Sequence, residues 1–322
     1  MAKKLKKIRK KIQRPLEVTA IYGLMFCVKC QTLRGARRLG TILGYIGYNV
    51  PSIKKLVKAN LNIAFPDMSK KEARKIGIAS MTSLFNVFIE FLWFKGREHK
   101  ISQFIEWDDV SIKEFKEKRE KNKNKKPCIL LTMHMGNWEV TAQTYHLISD
   151  EILTSVATRI KNNVLEDLMY QGRTATGAKI THQKGAVKAL VQSLRTKQSI
   201  GLLVDQNTKT HQGGVYAKFF GLDATISRSP ATFAKKFNPD MIMIECHRTQ
   251  KGFYITYKQL PFTYEDCESE DDYSAKLLKY MESLVRNRPD QWVWYYNRWG
   301  TFRNKEDKSK YPYYASLESK YD

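Results

Sequence analysis

The sequence predicts an α/β protein: a mostly parallel sheet flanked by helices, preceded by a helical N-terminal region. Three observations carry this reading. From Cys128 onward, short apolar β-prone runs alternate with helix-compatible stretches, the pattern of a parallel sheet with helices on its faces. Residues 15 to about 100 carry helical patterning and no strand-like run. The polar residues able to do chemistry fall just after strand-like runs, where open α/β sheets keep their sites. At 322 residues the chain can form one large α/β domain, or one domain plus a helical attachment.

The chain opens on a basic arm. Lys3, Lys4, Lys6, Lys7, Arg9, Lys10, Lys11 and Arg14 put eight basic residues and no acid in the first fourteen. An apolar stretch from Val18 to Val28 follows, between Glu17 and Lys29, and a second runs from Leu39 to Val50. The first is about half the length of a spanning helix, roughly 20 residues. It suits a helix lying on a membrane surface or shallowly inserted in it. A buried first helix behind a solvated tail is the alternative. With no small-residue cleavage site after it, a signal peptide is not expected.

Pro51 starts the next helical segment, which runs to Pro66. Ser69 with Glu72 three residues on forms a capping box for the helix that follows. That helix carries Ile76, Met81, Leu84, Phe85, Phe88, Phe91 and Leu92, a face for the core or for an acyl chain. Residues 113–126 are nearly all charged and read as a solvated helix or loop. Strands are expected near 128–133, 152–158, 199–205, 241–248 and 252–260. Helices are expected near 138–148, 162–174, 184–195, 228–237 and 272–287. The last two strands form a hairpin around Lys251-Gly252. This divides the chain into residues 1–50, a basic arm with membrane-associated helices, a main domain over 51–303, and a polar Tyr-rich tail over 304–322. The tail is expected to be loosely ordered.

Lys and Arg number 56 against 32 Asp and Glu, a net charge of +24. Such a balance implies an anionic partner: nucleic acid, an anionic membrane, acidic proteins or phosphorylated substrates. No helix-turn-helix, zinc-finger or single-strand stacking motif supports nucleic acid. A polybasic arm beside an apolar helix fits an anionic cytoplasmic leaflet. Cys27 and Cys30 form a C-x-x-C within the first apolar stretch, but no second pair or nearby His completes a zinc site. With Cys128, Cys246 and Cys267 they read as core thiols.

His134 followed five residues later by Glu139 is the most informative motif. An apolar run, Cys128-Ile-Leu-Leu-Thr, leads into a small turn and then a helix-compatible stretch. This delivers His134 to the carboxyl end of a strand. Residues on one helical face are three or four apart. An offset of five suits a His in the turn and a Glu folded back from the first helical turn. Glu139 is then expected to hold one ring nitrogen while the other accepts a proton from a substrate hydroxyl. Gly136 is expected to let a substrate approach the backbone, with Gly136 and Asn137 N–H groups stabilising an oxyanion. His146 and Glu151 share the spacing but lack the preceding strand and the glycine turn.

Four clusters accompany His134. Arg159 with Asn162, then Arg173 with Gly177, lie at a strand end and a helix, and suit phosphate binding or ordinary salt bridging. Asp205-Gln206-Asn207 ends an apolar strand, where an acid can orient an arginine or meet a substrate hydroxyl. Other ligands for a metal are lacking there. Phe219 and Phe220, beside glycines, form a wall for an acyl channel or simply pack. Pro289, Gln291, Trp292, Trp294, Arg298 and Trp299 form an aromatic stretch for a membrane interface or for closing the core.

Taken in order, these blocks resemble the bacterial lipid A biosynthesis acyltransferases of the late, lauroyl/myristoyl type. The resemblance runs from Asn60-Leu-Asn-Ile-Ala-Phe-Pro66 to Trp299. It implies a fold like the glycerolphosphate acyltransferases and makes 51–303 an acyltransferase domain. It also implies acyl transfer from acyl carrier protein to a hydroxyl of a lipid A precursor at the cytoplasmic face of the inner membrane, with no cofactor or metal. By the family's pattern His134 is the general base and Glu139 its partner, Arg173 and Asp205 match positions needed for activity, and Arg159 is a weaker addition. Asn162 and Gln206 join them as substrate contacts. Departures stand at Tyr296, Gly300 and Ser227-Arg228-Ser229, and bear on acceptor identity and acyl length. Some family members acylate mannosylated phosphatidylinositol instead. A non-catalytic basic membrane- or nucleic-acid-binding protein is the reading from another class.

Overall fold

The computed structural model describes residues 17–122, 125–183 and 185–318. The basic arm at residues 3–14 lies outside them. Helix α1 covers residues 17–29. It is followed by α2 (Leu33–Asn49), α3 (Pro51–Ala64) and α4 (Lys70–Phe94). Each start has a local cause. The Thr32 side chain accepts the Gly35 N–H at 3.1 Å. Pro51 occupies the first turn of α3. Ser69 and Glu72 form the capping box at α4, where the loss of such a cap costs about 1 kcal/mol.

The glycines of α2 let it lie directly on α4. A Cβ on Gly44 would sit 2.4 Å from the Thr82 Cα, and one on Gly40 would sit 2.0 Å from the Asn86 side chain. Helix α4 is, among the described residues, long and apolar enough to cross a membrane, but most of its apolar window is buried in protein. Met81, Phe91 and Leu92 are core residues. The outer faces of α1 and α2 differ: Tyr22, Phe26, Ile42, Tyr45 and Ile46 are exposed, Phe26 by 70%, and so is Val50 just beyond α2.

The main sheet has seven strands: β1 (Ile105–Trp107), β2 (Cys128–Thr132), β3 (Leu153–Ala157), β4 (Lys179–His182), β5 (Ser199–Leu203), β8 (Asp240–Arg248) and β9 (Phe253–Gln259). Their order is β1-β9-β8-β2-β5-β3-β4. All pairs are parallel except β8 with β9, the hairpin expected around Lys251-Gly252. Strand β2 is central and buried throughout. Its side chains alternate: Ile129 and Leu131 join the core on one side of the sheet, Cys128 and Leu130 the core on the other. Every expected strand and helix forms. Residues within 113–126, left open as helix or loop, belong to α5 (Asp109–Asn122). Its Arg119 reaches Glu151 at 2.5 Å and Asp240 at 2.6 Å.

Other strands carry little signal in the sequence. β1 and β4 are short edge strands with little apolar run. β6 (Gly214–Phe219) and β7 (Leu222–Ser227) form a separate hairpin. Its two-residue turn puts Phe220 at φ +52° and Gly221 at φ +78°.

Two expectations need correction, and one open alternative is decided. The tail is tied down: Ser316–Leu317 pairs with Thr301–Phe302, and the Tyr311 hydroxyl donates to the Asp223 carbonyl at 3.0 Å. Cys27 and Cys30 are exposed rather than core, because α1 turns that face outward, whereas Cys128 and Cys246 are buried. Trp292, Trp294 and Trp299 are buried, so the late aromatic stretch closes the core.

Candidate active site

Sheet register builds the site. Strands β2 and β5 pair Thr132 with Leu203, so His134 and Asp205, each two residues on, meet at the carboxyl edge. The Val204 N–H donates to the Thr132 carbonyl at 3.1 Å and extends the pairing past the strand ends. Asp205 is nearly fully buried. Its Oδ1 lies 2.7 Å from His134 Nδ1, while Oδ2 accepts the His134 backbone N–H at 2.9 Å and the Trp292 indole N–H at 2.8 Å.

Burial acts to raise the Asp205 carboxyl. The His134 ring beside it, and hydrogen bonds from His134 and Trp292, outweigh burial and hold it below the ordinary aspartate value. A carboxylate only accepts, so the Nδ1 facing it carries a proton, and in the neutral ring the lone pair then belongs to Nε2. The Trp138 ring meets the imidazole edge-on at 4.9 Å between centroids, and Gln206 Nε2 lies 3.4 Å from His134 Nε2.

Glu139 does not hold His134, contrary to the sequence expectation. Helix α6 (Trp138–Thr144) sits beside α7 (Asn163–Thr174), and Arg173 of α7 takes both carboxylate oxygens. Its Nε lies 2.8 Å from Oε2 and its Nη2 2.6 Å from Oε1, which leaves Nη1 outside the pair. Burial would lower the Arg173 guanidinium, but hydrogen bonds and charge from Glu139, with Glu166 beyond, raise it. The decoy pair is unlinked as well. His146 Nδ1 contacts the Gln143 carbonyl at 2.8 Å, and Glu151 is held by Arg119 and Ser199.

The expected backbone oxyanion donors are also spent. The Gly136 N–H donates to the Gln291 carbonyl at 3.0 Å and the Asn137 N–H to the Cys246 carbonyl at 3.2 Å. Gly136 serves the fold: its φ is +60°, and a Cβ there would sit 1.5 Å from the Cys246 carbonyl oxygen. The Asn137 side chain caps α6, accepting the Glu139 and Val140 N–H groups at 3.1 Å each.

A cavity of about 430 Å³ opens beside His134. Its walls include Leu130, Leu153, Val156, Ile180, Leu202 and Ile244, and its polar groups include His134, Glu139, Arg173 and Gln206. Leu130, Thr132 and His134 share one face of the chain, so the floor runs about 13 Å from His134 to Leu130. Phe219 and Phe220 are not among its walls. They pack at the β6–β7 turn, Phe219 against Trp292 and Trp299 and Phe220 against Trp294, because the hairpin lies on the opposite core, where Phe220 lines a separate cavity with Phe65 and Ile76. Arg298 is fully buried in that core, donating to the Thr225 carbonyl at 2.7 Å and stacking over Phe219 at 4.9 Å. Burial pulls its guanidinium down to about 10 against the opposing charge of Asp205.

Arg159 is exposed at the rim, between Thr158 and Ile160, which line the cavity. Asn162 does not reach the cavity. Its Oδ1 caps α7 at Leu165 N, 3.1 Å, and its Nδ2 donates to Glu17 of α1 at 2.8 Å. The sequence reading missed two residues. Trp292 reads in the sequence as part of the late aromatic stretch, and nothing local marks it as a donor to Asp205. Glu90 has a signal of its own, a lone carboxylate inside Phe88-Ile-Glu90-Phe-Leu-Trp93.

A mostly parallel α/β sheet carrying a His–Asp dyad beside a cavity that joins aliphatic walls to His134, Glu139 and Arg173 suits an enzyme that handles acyl groups. The sequence matches the family described as bacterial lipid A biosynthesis acyltransferase over residues 5–301, and the chain belongs to that family. It is accordingly an acyltransferase of lipid A biosynthesis. No curated protein matches the chain.

Proposed function

We propose that the protein transfers a fatty acyl group from acyl carrier protein to a hydroxyl of a lipid A precursor. His134, oriented by Asp205, is the proposed general base. The observation that carries this is the 2.7 Å contact of His134 Nδ1 with Asp205, which commits the ring to a tautomer whose Nε2 can accept a proton. Nε2 takes the acceptor hydroxyl proton, and the oxygen attacks the thioester carbonyl. The tetrahedral oxyanion collapses, the C–S bond breaks, and the thiolate recovers the proton from His134. Arg173 supplies positive charge to the oxyanion or to an acceptor phosphate, with Nη1 outside its pair with Glu139. Glu139 is thereby the anchor of Arg173. The acyl chain lies along Leu130, Leu153 and Ile244.

The same reading puts the enzyme on the cytoplasmic face of the inner membrane. What supports it is the exposure of large apolar side chains on the two N-terminal helices, Tyr22 and Phe26 on α1 and Ile42, Tyr45 and Ile46 on α2. Basic residues favour an anionic leaflet and an acidic carrier protein. The test is an assay of purified protein with acyl carrier proteins of several chain lengths and a defined lipid A precursor, read by mass spectrometry. His134→Ala abolishes transfer and His146→Ala retains it. Equal loss in both variants, or full activity in His134→Ala, would sink the assignment.

A further inference from the structure

Glu90 lies near the C-terminal end of α4 with no exposed surface. A carboxylate so placed is costly unless its oxygens are fully engaged. Arg37 of α2 reaches Oε1 through its Nε at 2.6 Å, and Arg248 at the end of β8 brings its Nε to 2.9 Å from Oε2. The third partner is Asn137, whose Nδ2 donates to Oε2 at 2.7 Å. Asn137 ends the turn that begins at His134, and its other amide atom, Oδ1, starts the helix that carries Glu139.

The chemistry of the two groups fixes the geometry. A carboxylate cannot donate, so it admits only the NH₂ end of Asn137, and the carbonyl end must then face the helix. Glu90 is absent from the cavity walls and so has no direct part in the chemistry. We propose that Glu90 is a positioning residue for acyl transfer: by orienting Asn137 it sets His134 against the Glu139–Arg173 pair. This rests on the reading of His134 as the base. It also makes α2 part of the catalytic scaffold. Arg37 donates to the Thr249 carbonyl at 2.8 Å and the Gly252 carbonyl at 2.9 Å as well as to Glu90.

The test uses Glu90→Gln, Asn137→Asp and the double variant in the full chain. Either single change sets like groups against each other. In Glu90→Gln, one donor of the new amide faces Asn137 or an arginine; in Asn137→Asp, two carboxylates meet. In the double variant the amide at position 90 donates to the carboxylate at position 137, which still accepts from the N–H groups of α6. A turn displaced by about 1 Å lowers kcat by about 10²-fold in each single variant, with KM for the acyl donor little changed. The double variant recovers most of that loss.

A purely structural role would lower the unfolding midpoint and leave kcat per folded molecule unchanged well below it. That result in Glu90→Gln, with His134→Ala inactive in the same assay, overturns the proposal and leaves the base assignment standing. Full activity of His134→Ala would instead overturn that assignment. Should Glu90→Gln not fold, Asn137→Asp and the double variant decide. An unimpaired Asn137→Asp, or a double variant no better than it, overturns the proposal.

Discussion

Asp205 grips His134 twice, with one carboxylate oxygen 2.7 Å from the ring Nδ1 and the other 2.9 Å from the backbone nitrogen. Ring and main chain are thus set by one side chain from the neighbouring strand. An orienting acid of this kind fixes the tautomer as well as the angle. Asp205→Asn keeps the size but can offer an NH₂ to Nδ1, which favours the wrong tautomer. A loss in kcat on the order of 10²–10⁴-fold is expected, with an unchanged circular dichroism spectrum. Retention of full kcat would remove Asp205 from the dyad.

Arg173 and Glu139 form a forked pair with little exposure. Removing one partner of such a pair leaves the other charge buried, at about 3 kcal/mol. Arg173→Met should be less stable to urea than the parent by roughly that amount, and Arg173→Met with Glu139→Leu less affected than Arg173→Met alone. Additive losses in this double-mutant cycle would show that the two side chains do not interact.

Stability should fall on the acid side in part through Asp205. Its folded carboxyl lies below the ordinary aspartate value of 3.8, so its contribution is present above that value and lost as pH falls through the folded one. In that window the unfolded chain binds the proton that the folded chain excludes. Urea titrations across the acid range should show Asp205→Asn losing less stability than the parent as pH falls. Parallel curves would contradict this.

Gly201 lies in the cavity, paired with Leu130 on one side and Ser155 on the other. A Cβ there would come within 2.6 Å of the Ser155 hydroxyl, so Gly201→Ala narrows the slot at the depth of Leu130. The prediction is a shift in kcat/KM toward shorter acyl donors, by roughly tenfold for each methylene or two that no longer fits. An unchanged chain-length profile would place the acyl chain elsewhere.

Much of this protein was legible in the sequence. Apolar runs bounded by polar turns marked the five principal strands, because burial on both faces of a central parallel strand demands such runs. Ser69 with Glu72 announced α4, and a strand, a turn and a glycine separated His134 from His146. The order of the blocks from His134 to Trp299 identified the family. Exposure was less legible: nothing local distinguishes the outward Phe26 from the inward Phe91.

Tertiary structure alone decided which acid serves His134. Spacing along the chain made Glu139 the natural partner, and only the β2–β5 register brings Asp205 to the ring while α7 delivers Arg173 to Glu139. It also decided that the Gly136 and Asn137 amides belong to the fold. Their acceptors, the Gln291 and Cys246 carbonyls, come from segments far along the chain. The physical reason is common to both. Residue identity determines which groups can donate, accept or carry charge, but a hydrogen bond is decided within a few tenths of an ångström, and only the packed sheet and helices set that distance.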